Sequence, residues 1–425
     1  MTLWENLSKY LNKEIINKIK NSLVDERTYC LLINDKKTNF EFLKSVFPTL
    51  EKHPFIKNAC YYDGRVDFPG KSYLFDNGAY YIIDASSLLV SHFLNINENE
   101  LFLDMCAAPG GKSISQFLKS EKICGICNDL SKNRAFLMSE NFERLGIANA
   151  IITNNDLSKV YKNYPSTFDK IILDAPCSGS GMIRKNDAFL SERTFEKVKR
   201  CAAIQKELLE IAYYLVKFNG IISYSTCSLS YEENEEIILD FIHAHPDCEI
   251  LNLPSITGEY RSKELPQAIH LFPGLYQGEG LFICQLRKKQ DDFFSIKKKK
   301  ETKKLIINKF NLPFIYEIEK NCNFYANSIA LDTKYFNVLK EGLHIGEQKK
   351  DIFIPSFHLA HFLDSEKSIS LNDSEAKLYL HGDIINCDLK LKDGFYIVSY
   401  NNINLGYVKK IGKILKNYYP KGLRH

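Results

Sequence analysis

The sequence predicts an α/β protein whose main domain is a parallel β-sheet covered by helices on both faces. Between residues 101 and 290, continuous apolar strands alternate with helical segments, a pattern typical of strands that are buried on both faces. In such sheets the ligand binds at the carboxyl ends of the strands, near the point where the strand order reverses. Side chains capable of chemistry fall at or just past these ends: Asp104, Asp129, Asp156, Asp174, Cys177 and Cys227.

The strands of this sheet are predicted from short apolar runs in chain order. The runs are LFLDM, KICGICND, NAIITNND, FDKIILDAP and IISYST, and EGLFICQLRK supplies a last strand near 280–287. A Gly-rich turn and a helix follow the first run, and Ser131 is the predicted N-cap of the helix after the second run. A long helix around VKRCAAIQKELLEIAYYLV precedes the fifth run.

The chain length predicts several domains. The 425 residues exceed what one ordinary core contains, and two to four domains are expected. We divide the chain into a small α/β module (1–75), the main sheet domain (76–290), a second small α/β segment (291–365) and a strand-rich domain (366–425). Within this scheme, residues 288–304 are polar and lysine-rich, and we interpret them as a linker or exposed loop.

The composition excludes several classes of protein. Hydrophobic residues make up 45% and charged residues 25% of the chain, as in soluble globular proteins, and no apolar run approaches bilayer length. The N-terminus is predicted to be one amphipathic helix rather than a signal peptide. Its apolar residues recur at helical spacing: Leu3, Leu7, Leu11, Ile15 and Ile19. We therefore expect a cytoplasmic protein without membrane contact, whose twelve cysteines stay reduced.

Two cysteines in the second run stand at CxxC spacing. Cys124 and Cys127 have no second pair at the spacing of a zinc site, and the stretch has the pattern of a buried strand. Because a free cysteine packs like a small hydrophobic residue, we interpret both as core residues and predict no metal site.

The turn after the first strand, LDMCAAPGGKS, is a candidate cofactor loop. Gly110 and Gly111 allow the backbone to approach a ligand closely, and the following helix offers free N–H groups. A Walker A phosphate loop would need glycine five residues before Gly111, where the chain has Cys106, and GxGxxG is also absent. A purely structural turn is the alternative.

Two acidic residues narrow the cofactor further. Asp129, at the end of the second strand, is placed to hold a ribose diol, and Asp156, at the end of the third, could accept a hydrogen bond from an adenine amino group. Because the loop lacks a phosphate cradle, this combination favours S-adenosylmethionine over a nicotinamide dinucleotide.

Three long motifs carry a family resemblance. LDMCAAPGGKS, ILDAPCSGSGMIRK and YSTCSLSYEENE, in this order, resemble the NOL1/NOP2/Sun family of RNA cytosine-5 methyltransferases. The phrases EGLHIGEQKKDIFIPSFHLA and LKNYYPKGLRH resemble its bacterial RsmF-type branch, whose members methylate ribosomal RNA. The resemblance implies a Rossmann-like class I methyltransferase sheet that uses S-adenosylmethionine, an N-terminal RNA-binding module, a small ferredoxin-like segment and a C-terminal PUA-like β-barrel.

The resemblance also implies a reason for two thiols. A thiolate that adds to C6 of cytosine makes C5 nucleophilic enough to take a methyl group, and the thiol must afterwards be expelled. The family implies that Cys227 attacks and Cys177 assists release. The Pro-Cys step of Cys177 alone would favour the opposite assignment, as in DNA cytosine-5 methyltransferases. Asp174, if protonated in a closed pocket, could donate a hydrogen bond to N3 of the base.

The predicted cofactor residues come from the loop and from the ends of the neighbouring strands. Within this set, Lys112 is expected to orient the base or the methionine carboxylate, and Arg134 to reach the cofactor ribose. The full set is Cys106, Ala107, Ala108, Pro109, Gly110, Gly111, Lys112, Asp129, Arg134, Asp156 and Asp174.

The expected partner is RNA, and the expected substrate is 16S ribosomal RNA, with transfer RNA and 23S ribosomal RNA as alternatives. We expect a monomer. The basic C-terminal stretch, with aromatic residues between the cations, is predicted to contact RNA, and a plain solvated β-surface is the alternative. The stretch contains Lys409, Lys410, Lys413, Lys416, Tyr418, Tyr419, Lys421 and Arg424.

Two other functional classes remain open at this point. An amino-group methyltransferase typically carries an Asn/Asp-Pro-Pro-aromatic loop where this chain has DAPC, and it has no use for thiols. A catalytically idle RNA-binding scaffold would need neither the thiols nor the Gly-rich loop, and cofactor affinity would separate it from an enzyme.

Overall fold

The computed structural model describes residues 3–25, 27–185, 194–289, 298–299, 305–365 and 368–424. Within the predicted linker, residues 290–297 and 300–304 lie outside the described residues. The fold confirms the predicted α/β class, with one large sheet and three smaller ones. None of the helices in the described ranges combines the length and the apolar character that a bilayer span requires.

The first module consists of a four-stranded sheet with short helices. Its antiparallel strand order is β2-β3-β1-β4, so the sheet continues past residue 75. The strands are β1 (Tyr29–Ile33), β2 (Glu51–Lys52), β3 (Ala59–Tyr62) and β4 (Tyr80–Ile83). The helices are α1 (Leu3–Leu7), α2 (Lys13–Ser22), α3 (Phe40–Val46) and α4 (Tyr73–Asp76).

The prediction of one continuous N-terminal helix was wrong, because the chain forms α1 and α2 with a break between them. The Asn12 side chain accepts a hydrogen bond from the backbone N–H of Ile15, which starts a new helix at Lys13. Both helices bury their apolar residues beside the loop that follows Cys227, where they pack against Leu229 and Phe272.

The large sheet forms the core of the main domain. It has ten strands in the order β11-β12-β13-β9-β8-β5-β6-β7-β16, and β10 pairs with β13. The five central strands are β5 (Leu101–Asp104), β6 (Cys124–Asn128), β7 (Ala150–Thr153), β8 (Phe168–Asp174) and β9 (Val216–Thr226). The remaining strands are β10 (Cys248–Leu251), β11 (Glu259–Tyr260), β12 (Ile269–Leu271), β13 (Leu281–Lys288) and β16 (Val338–Glu341).

Helices cover both faces of the central strands. They are α5 (Ala85–Phe93), α6 (Gly111–Phe117), α7 (Lys132–Leu145), α8 (Leu157–Val160), α9 (Phe195–Leu215) and α10 (Glu235–Ala244). Ser131 occupies the N-cap position of α7 as predicted, but its side chain makes no capping hydrogen bond.

The strand order reverses beside β5. The chain builds β5, β6 and β7 outward and then returns to place β8 and β9 on the other side of β5, all five strands being parallel. Asp104 ends β5 and pairs with Ile172, while Asp174 ends β8 and pairs with Ser225. The predicted ligand edge is therefore a topological switch point.

The third segment is a meander with the strand order β14-β15-β17-β18, and its strand β16 joins the large sheet instead. β16 runs antiparallel to β7 and so forms one edge of the large sheet. The segment contains β14 (Tyr316–Lys320), β15 (Asn323–Asn327), β17 (Leu343–Lys349), β18 (Ile352–Pro355), α11 (Leu305–Phe310) and α12 (Phe357–Phe362).

The C-terminal domain is a five-stranded sheet in the order β19-β21-β22-β23-β20. Its elements are α13 (Asp373–His381), β19 (Ile369–Ser370), β20 (Ile385–Asn386), β21 (Gly394–Tyr400), β22 (Ile403–Ile411) and β23 (Ile414–Asn417). The basic stretch only partly forms a surface, since Tyr419 and Lys410 are buried and Tyr418 packs its ring on Phe395. The aromatic side chains there serve the core.

Lys37 joins three of these segments at one point. Its buried Nζ donates to Asn77 O and Arg144 O, both at 2.9 Å, and lies 3.1 Å from His361 Nδ1. The two carbonyls belong to the ends of α4 and α7, where unpaired carbonyl groups attract cations. Burial lowers the pKa of Lys37 well below its ordinary value.

Candidate active site

A cavity of about 570 Å³ opens at the carboxyl ends of the parallel strands. Seven predicted site residues line it: Cys106, Asp129, Arg134, Asp156, Asp174, Cys177 and Cys227. Residues 107–112 of the predicted set are not among the lining residues. A cavity of about 600 Å³ lies at the amino ends of the strands, but it contains none of the predicted site residues and no pair of thiols, so the smaller cavity is the chemical candidate.

Asp129 is held rigidly at one end of this cavity. Its Oδ2 accepts a hydrogen bond from the backbone N–H of Ala108 at 3.2 Å, and its Oδ1 accepts one from Ser131 at 2.9 Å. Arg134 Nη1 lies 3.3 Å from Asp129 Oδ2 and so ties α7 to the same carboxylate. A carboxylate has about four acceptor sites, so lone pairs remain for a ligand diol.

The wall beside Asp129 includes apolar side chains that the sequence analysis did not select. Leu130 is 73% exposed and Ile204 is 45% exposed, although both line the cavity. Large apolar side chains exposed in a concave site are typical of a ligand surface. Leu130 could have been chosen from the sequence, because it directly follows the strand-end carboxylate, whereas Ile204 comes from the distant helix α9.

Asp156 lies on the same wall as the N-cap of α8. Its Oδ1 accepts hydrogen bonds from Ser158 N at 3.2 Å and Ser158 Oγ at 2.7 Å. The Ser158 hydrogen bond lowers the pKa of Asp156, and Lys159 reinforces this effect. Asp156 is therefore a carboxylate acceptor at the cavity wall.

The glycines of the candidate cofactor loop serve close packing. Gly110 has a φ of 106°, and a Cβ there would lie 2.8 Å from Phe142 Cε1. At Gly111, a Cβ would lie 2.9 Å from Ile83 Cδ1. Any side chain at these positions would push the loop away from α7 and β4. The glycines therefore allow the loop to pack closely against these two elements.

Lys112 and Asp174 form an ion pair at the edge of the site. Lys112 Nζ, on α6, donates to Asp174 Oδ2 at 2.7 Å, and Ser225 Oγ donates to Asp174 Oδ1 at 2.8 Å. Burial lowers the pKa of Lys112, but the Asp174 carboxylate outweighs this, and the net pKa is raised. The Asp174 side chain is 33% exposed, so Asp174 does not lie in the closed pocket that its predicted role requires.

The two thiols converge at the opposite end of the cavity. Cys177 Sγ and Cys227 Sγ lie 2.7 Å apart, and both cysteines are free. The hydrogen bond with Cys227 raises the pKa of the Cys177 thiol well above its ordinary value, and burial adds to this effect. The Cys177 thiol therefore favours its protonated form, and either sulfur atom can be the donor in this contact.

Cys106 differs from these two thiols. Burial raises the pKa of Cys106 strongly, and the carboxylates of Asp104, Asp174 and Asp129 add to the effect. Because a thiolate is the reactive form, Cys106 is a poor nucleophile.

Asp104 is a buried acid directly beneath the ion pair. It accepts a hydrogen bond from Ser113 Oγ at 2.6 Å, and only 1% of the residue is exposed. Burial raises the pKa of Asp104 to about 7, and the nearby Asp174 carboxylate acts in the same direction. The end of β5 therefore carries an acid that titrates near neutral pH.

Two family models match the chain in the order that the motifs predict. Residues 91–287 match the model described as 16S rRNA methyltransferase RsmB/F, and residues 366–425 match the methyltransferase RsmF PUA domain. These matches confirm the fold class predicted for the catalytic and C-terminal parts.

A curated relative extends the match over most of the chain. Ribosomal RNA small subunit methyltransferase F of Shewanella piezotolerans is 31% identical over 376 residues, which cover 81% of this chain and 79% of the relative. The protein of the same name from Aeromonas salmonicida is 29% identical, covering 82% of this chain and 79% of the relative.

Two solved structures share the fold. A methyltransferase homolog protein from Pyrococcus horikoshii is 29% identical, with a TM-score of 0.58, and the match covers 67% of this chain and 93% of that one. NSun6 from the same organism, solved with SFG, has a TM-score of 0.62 at 22% identity, covering 68% of this chain and 98% of that one. The family models and the 31% identity to the Shewanella relative over 81% of this chain confirm the family resemblance: the chain belongs to the RsmB/RsmF family, and it is an RNA methyltransferase.

Proposed function

We propose that the protein methylates C5 of cytosine in 16S ribosomal RNA, with S-adenosylmethionine as methyl donor. The observation that carries this proposal is the pair of thiols 2.7 Å apart, in the same cavity as the Asp174 carboxylate. Methylation of an amino group or of a ribose hydroxyl needs no sulfur nucleophile, whereas C5 of cytosine is unreactive until a nucleophile adds to C6.

The cavity fits the proposed cofactor in size and in chemistry. Its volume of about 570 Å³ lies within the usual range for small-molecule sites. Asp129 presents free lone pairs for the two ribose hydroxyls, Asp156 presents a second acceptor, and Leu130 offers an apolar surface for a ring. When bound, S-adenosylmethionine supplies an electrophilic methyl group on a sulfonium centre.

Cys227 is assigned as the nucleophile. Its thiolate forms a bond from Sγ to C6, and the C5=C6 electron pair becomes available to form the bond from C5 to the methyl carbon, whose bond to the donor's sulfur breaks and leaves its electron pair on that sulfur. Cys177 keeps its proton, since its pKa is raised through the Cys227 contact, and its S–H group can donate to Cys227 Sγ. After methylation, the C5 proton leaves to water, its electron pair restores C5=C6, and Cys227 departs as a thiolate that Cys177 stabilises.

Asp174 and Lys112 are assigned to the other side of the ring. Addition at C6 places negative charge on N3, and a proton that Asp174 takes up from water and passes to N3 neutralises that charge. Ser225 and Lys112 fix the two carboxylate oxygens at 2.8 and 2.7 Å, so the group is oriented before the base arrives. The target cytosine has to be unpaired or flipped out of its helix, because C6 is inaccessible inside a duplex.

The substrate assignment rests on the relatives named small subunit methyltransferase F and on the C-terminal match to an RsmF PUA domain. The test is to incubate the purified protein with methyl-labelled S-adenosylmethionine and one RNA at a time. The three RNAs are 16S rRNA, 23S rRNA and transfer RNA. Nucleoside mass spectrometry should find labelled 5-methylcytidine in 16S rRNA only. Label in N4-methylcytidine would overturn the chemistry, and label in another RNA would overturn the substrate.

A further inference from the structure

A buried carboxylate connects the two loops that carry the thiols. Each catalytic cysteine is followed by a serine, and both serine hydroxyls donate to the same atom. Ser178 Oγ and Ser228 Oγ each lie 2.5 Å from Glu233 Oε2 and are 3.2 Å from each other. Glu233 is 0% exposed, so it has no access to solvent.

The second carboxylate oxygen binds the Cys177 loop once more. Glu233 Oε1 accepts hydrogen bonds from the backbone N–H of Ser178 at 2.8 Å and from Gln205 Nε2 at 3.1 Å. Gln205, on α9, also donates to Pro176 O at 2.9 Å. Residues on both sides of Cys177 are therefore tied to one acid.

An ionised carboxylate suits this place better than any other side chain. It accepts only, with about four lone-pair directions, and four donors converge here. Burying the charge is costly, and hydrogen bonds from neutral donors offset that cost. The next residue extends the connection, because Asn234 Nδ2 donates to Ser228 O at 2.9 Å and Asn234 Oδ1 accepts from Thr226 Oγ1 at 2.6 Å.

We infer that Glu233 is a positioning residue that sets the separation of the Cys177 and Cys227 sulfur atoms. None of its hydrogen bonds among the described residues goes to a thiol, and it acts through the serine that follows each cysteine. The inference deepens the proposed function, on which it rests for its catalytic consequence, but the geometric part holds for the free protein alone.

The geometric part is tested without RNA or cofactor. Diamide removes two electrons and two protons from a close pair of thiols, which leaves one disulfide and the reduced hydrazine. In the wild type, peptide mapping by mass spectrometry should find a Cys177–Cys227 disulfide forming rapidly. In Glu233→Gln, this reaction should slow about tenfold or more, because small displacements of reacting atoms cost rate on that scale.

A matched control stands two residues away. Glu235 is equally buried and pairs with His270 Nε2 at 2.7 Å rather than with a thiol loop, so Glu235→Gln should form the disulfide at the wild-type rate. Equal rates for wild type and Glu233→Gln, at unchanged unfolding temperature, would overturn the inference. If Glu233→Gln does not fold, Ser228→Ala removes one hydroxyl donor and should slow the reaction in the same direction; a wild-type rate there would overturn it too.

The catalytic part uses 16S rRNA as the probe. Glu233→Gln should lower kcat about tenfold or more and leave KM for the RNA within about twofold, because alignment of the thiols matters after the RNA has bound. A raised KM with unchanged kcat would contradict a positioning role. If the wild type forms no 5-methylcytidine while disulfide formation still depends on Glu233, the proposed function fails and the positioning of the sulfur atoms stands.

Discussion

Cys177 Sγ and Cys227 Sγ lie 2.7 Å apart although the residues are 50 positions apart in the chain. The strands explain this: β8 and β9 are parallel neighbours, and Asp174 pairs with Ser225 at their carboxyl ends. The cysteines follow three and two residues later, so both loops turn toward the same point. A cytosine ring that enters the cavity therefore meets both thiols together.

The variants Cys227→Ala and Cys177→Ala should differ in whether they form a covalent adduct with RNA. Cys227→Ala should abolish methylation and form no covalent RNA adduct, because the bond to C6 cannot form. Cys177→Ala should still add and methylate but release slowly, so protein crosslinked to 16S rRNA should accumulate. A denaturing gel with and without nuclease detects this product. Cys322→Ala, an exposed thiol, is the control. An adduct in Cys227→Ala instead would reverse the two roles.

Asp174→Ala should lose both methylation and the covalent adduct, because the group assists addition itself. The measurement compares adduct formation by the double variant Asp174→Ala, Cys177→Ala with that of Cys177→Ala alone, because the adduct should accumulate in the Cys177→Ala protein. Asp169→Ala is the matched control: it lies on the same strand and pairs with Lys217 at 2.8 Å, at the opposite end. Adduct formation at the full rate without Asp174 would remove it from the addition step.

Asp129→Ala should weaken S-adenosylmethionine binding by about tenfold or more, because two charge-assisted hydrogen bonds to the ribose are lost. Isothermal titration calorimetry measures this without RNA. Glu41→Ala, an exposed acid of the first module, serves as the control for lost negative charge. Equal affinities in Asp129→Ala and the wild type would show that the ribose is bound elsewhere.

Asp104 should make stability depend on pH. Its pKa is raised from 3.8 to about 7 by burial, so between these values the folded state binds a proton that the unfolded state has lost. The stability it contributes is full below pH 3.8 and is lost as the pH rises to about 7. Asp104→Asn should therefore unfold at a higher temperature than the wild type at pH 8, with a smaller difference at pH 5. A difference independent of pH would contradict this.

The exposed cations of the C-terminal stretch should contribute to RNA affinity through phosphate contacts. Replacing Lys413, Lys416 and Lys421 by Gln should weaken 16S rRNA binding and flatten its salt dependence, since each lost phosphate contact lowers the slope by about 0.7 to 0.9. Filter binding at several salt concentrations gives the slope. Lys122→Gln, at the amino ends of the strands, is the control. An unchanged slope would leave the C-terminal domain without an electrostatic contact.

The positions of candidate site residues at strand ends could be predicted from single motifs, whereas the contacts between motifs could not. Cys177, Cys227 and Asp174 stand at strand ends, where α/β sheets place their ligands, so the sequence locates them. Lys112 was expected to orient the base or the methionine carboxylate, and its hydrogen bond to Asp174, on another element, could not be predicted from its own motif. Glu233 lies inside a quoted motif, but its donors come from residues 178, 205 and 228, and only the tertiary fold brings these together.

The boundaries of the segments were less predictable for a related reason. Strand pairing depends on partners that are distant in sequence, and neither β4 nor β16 carries a local signal of its partner. β4 pairs with β1 of the first module, and β16 pairs with β7 of the large sheet. Helix breaks depend on single caps, as Asn12 shows between α1 and α2.

The pairing of β16 with β7 has a consequence for how the chain is made. During synthesis, β7 emerges long before residues 338–341 and presents open backbone groups along its edge until they arrive. An open strand edge can pair with strands of other chains, and pairing between strands that are far apart in the sequence is slow. Once β16 has paired, Lys340 Nζ on this strand donates a hydrogen bond to Glu143 Oε1 at 2.6 Å. The nascent catalytic domain thus stays vulnerable to aggregation until the segment behind it has left the ribosome.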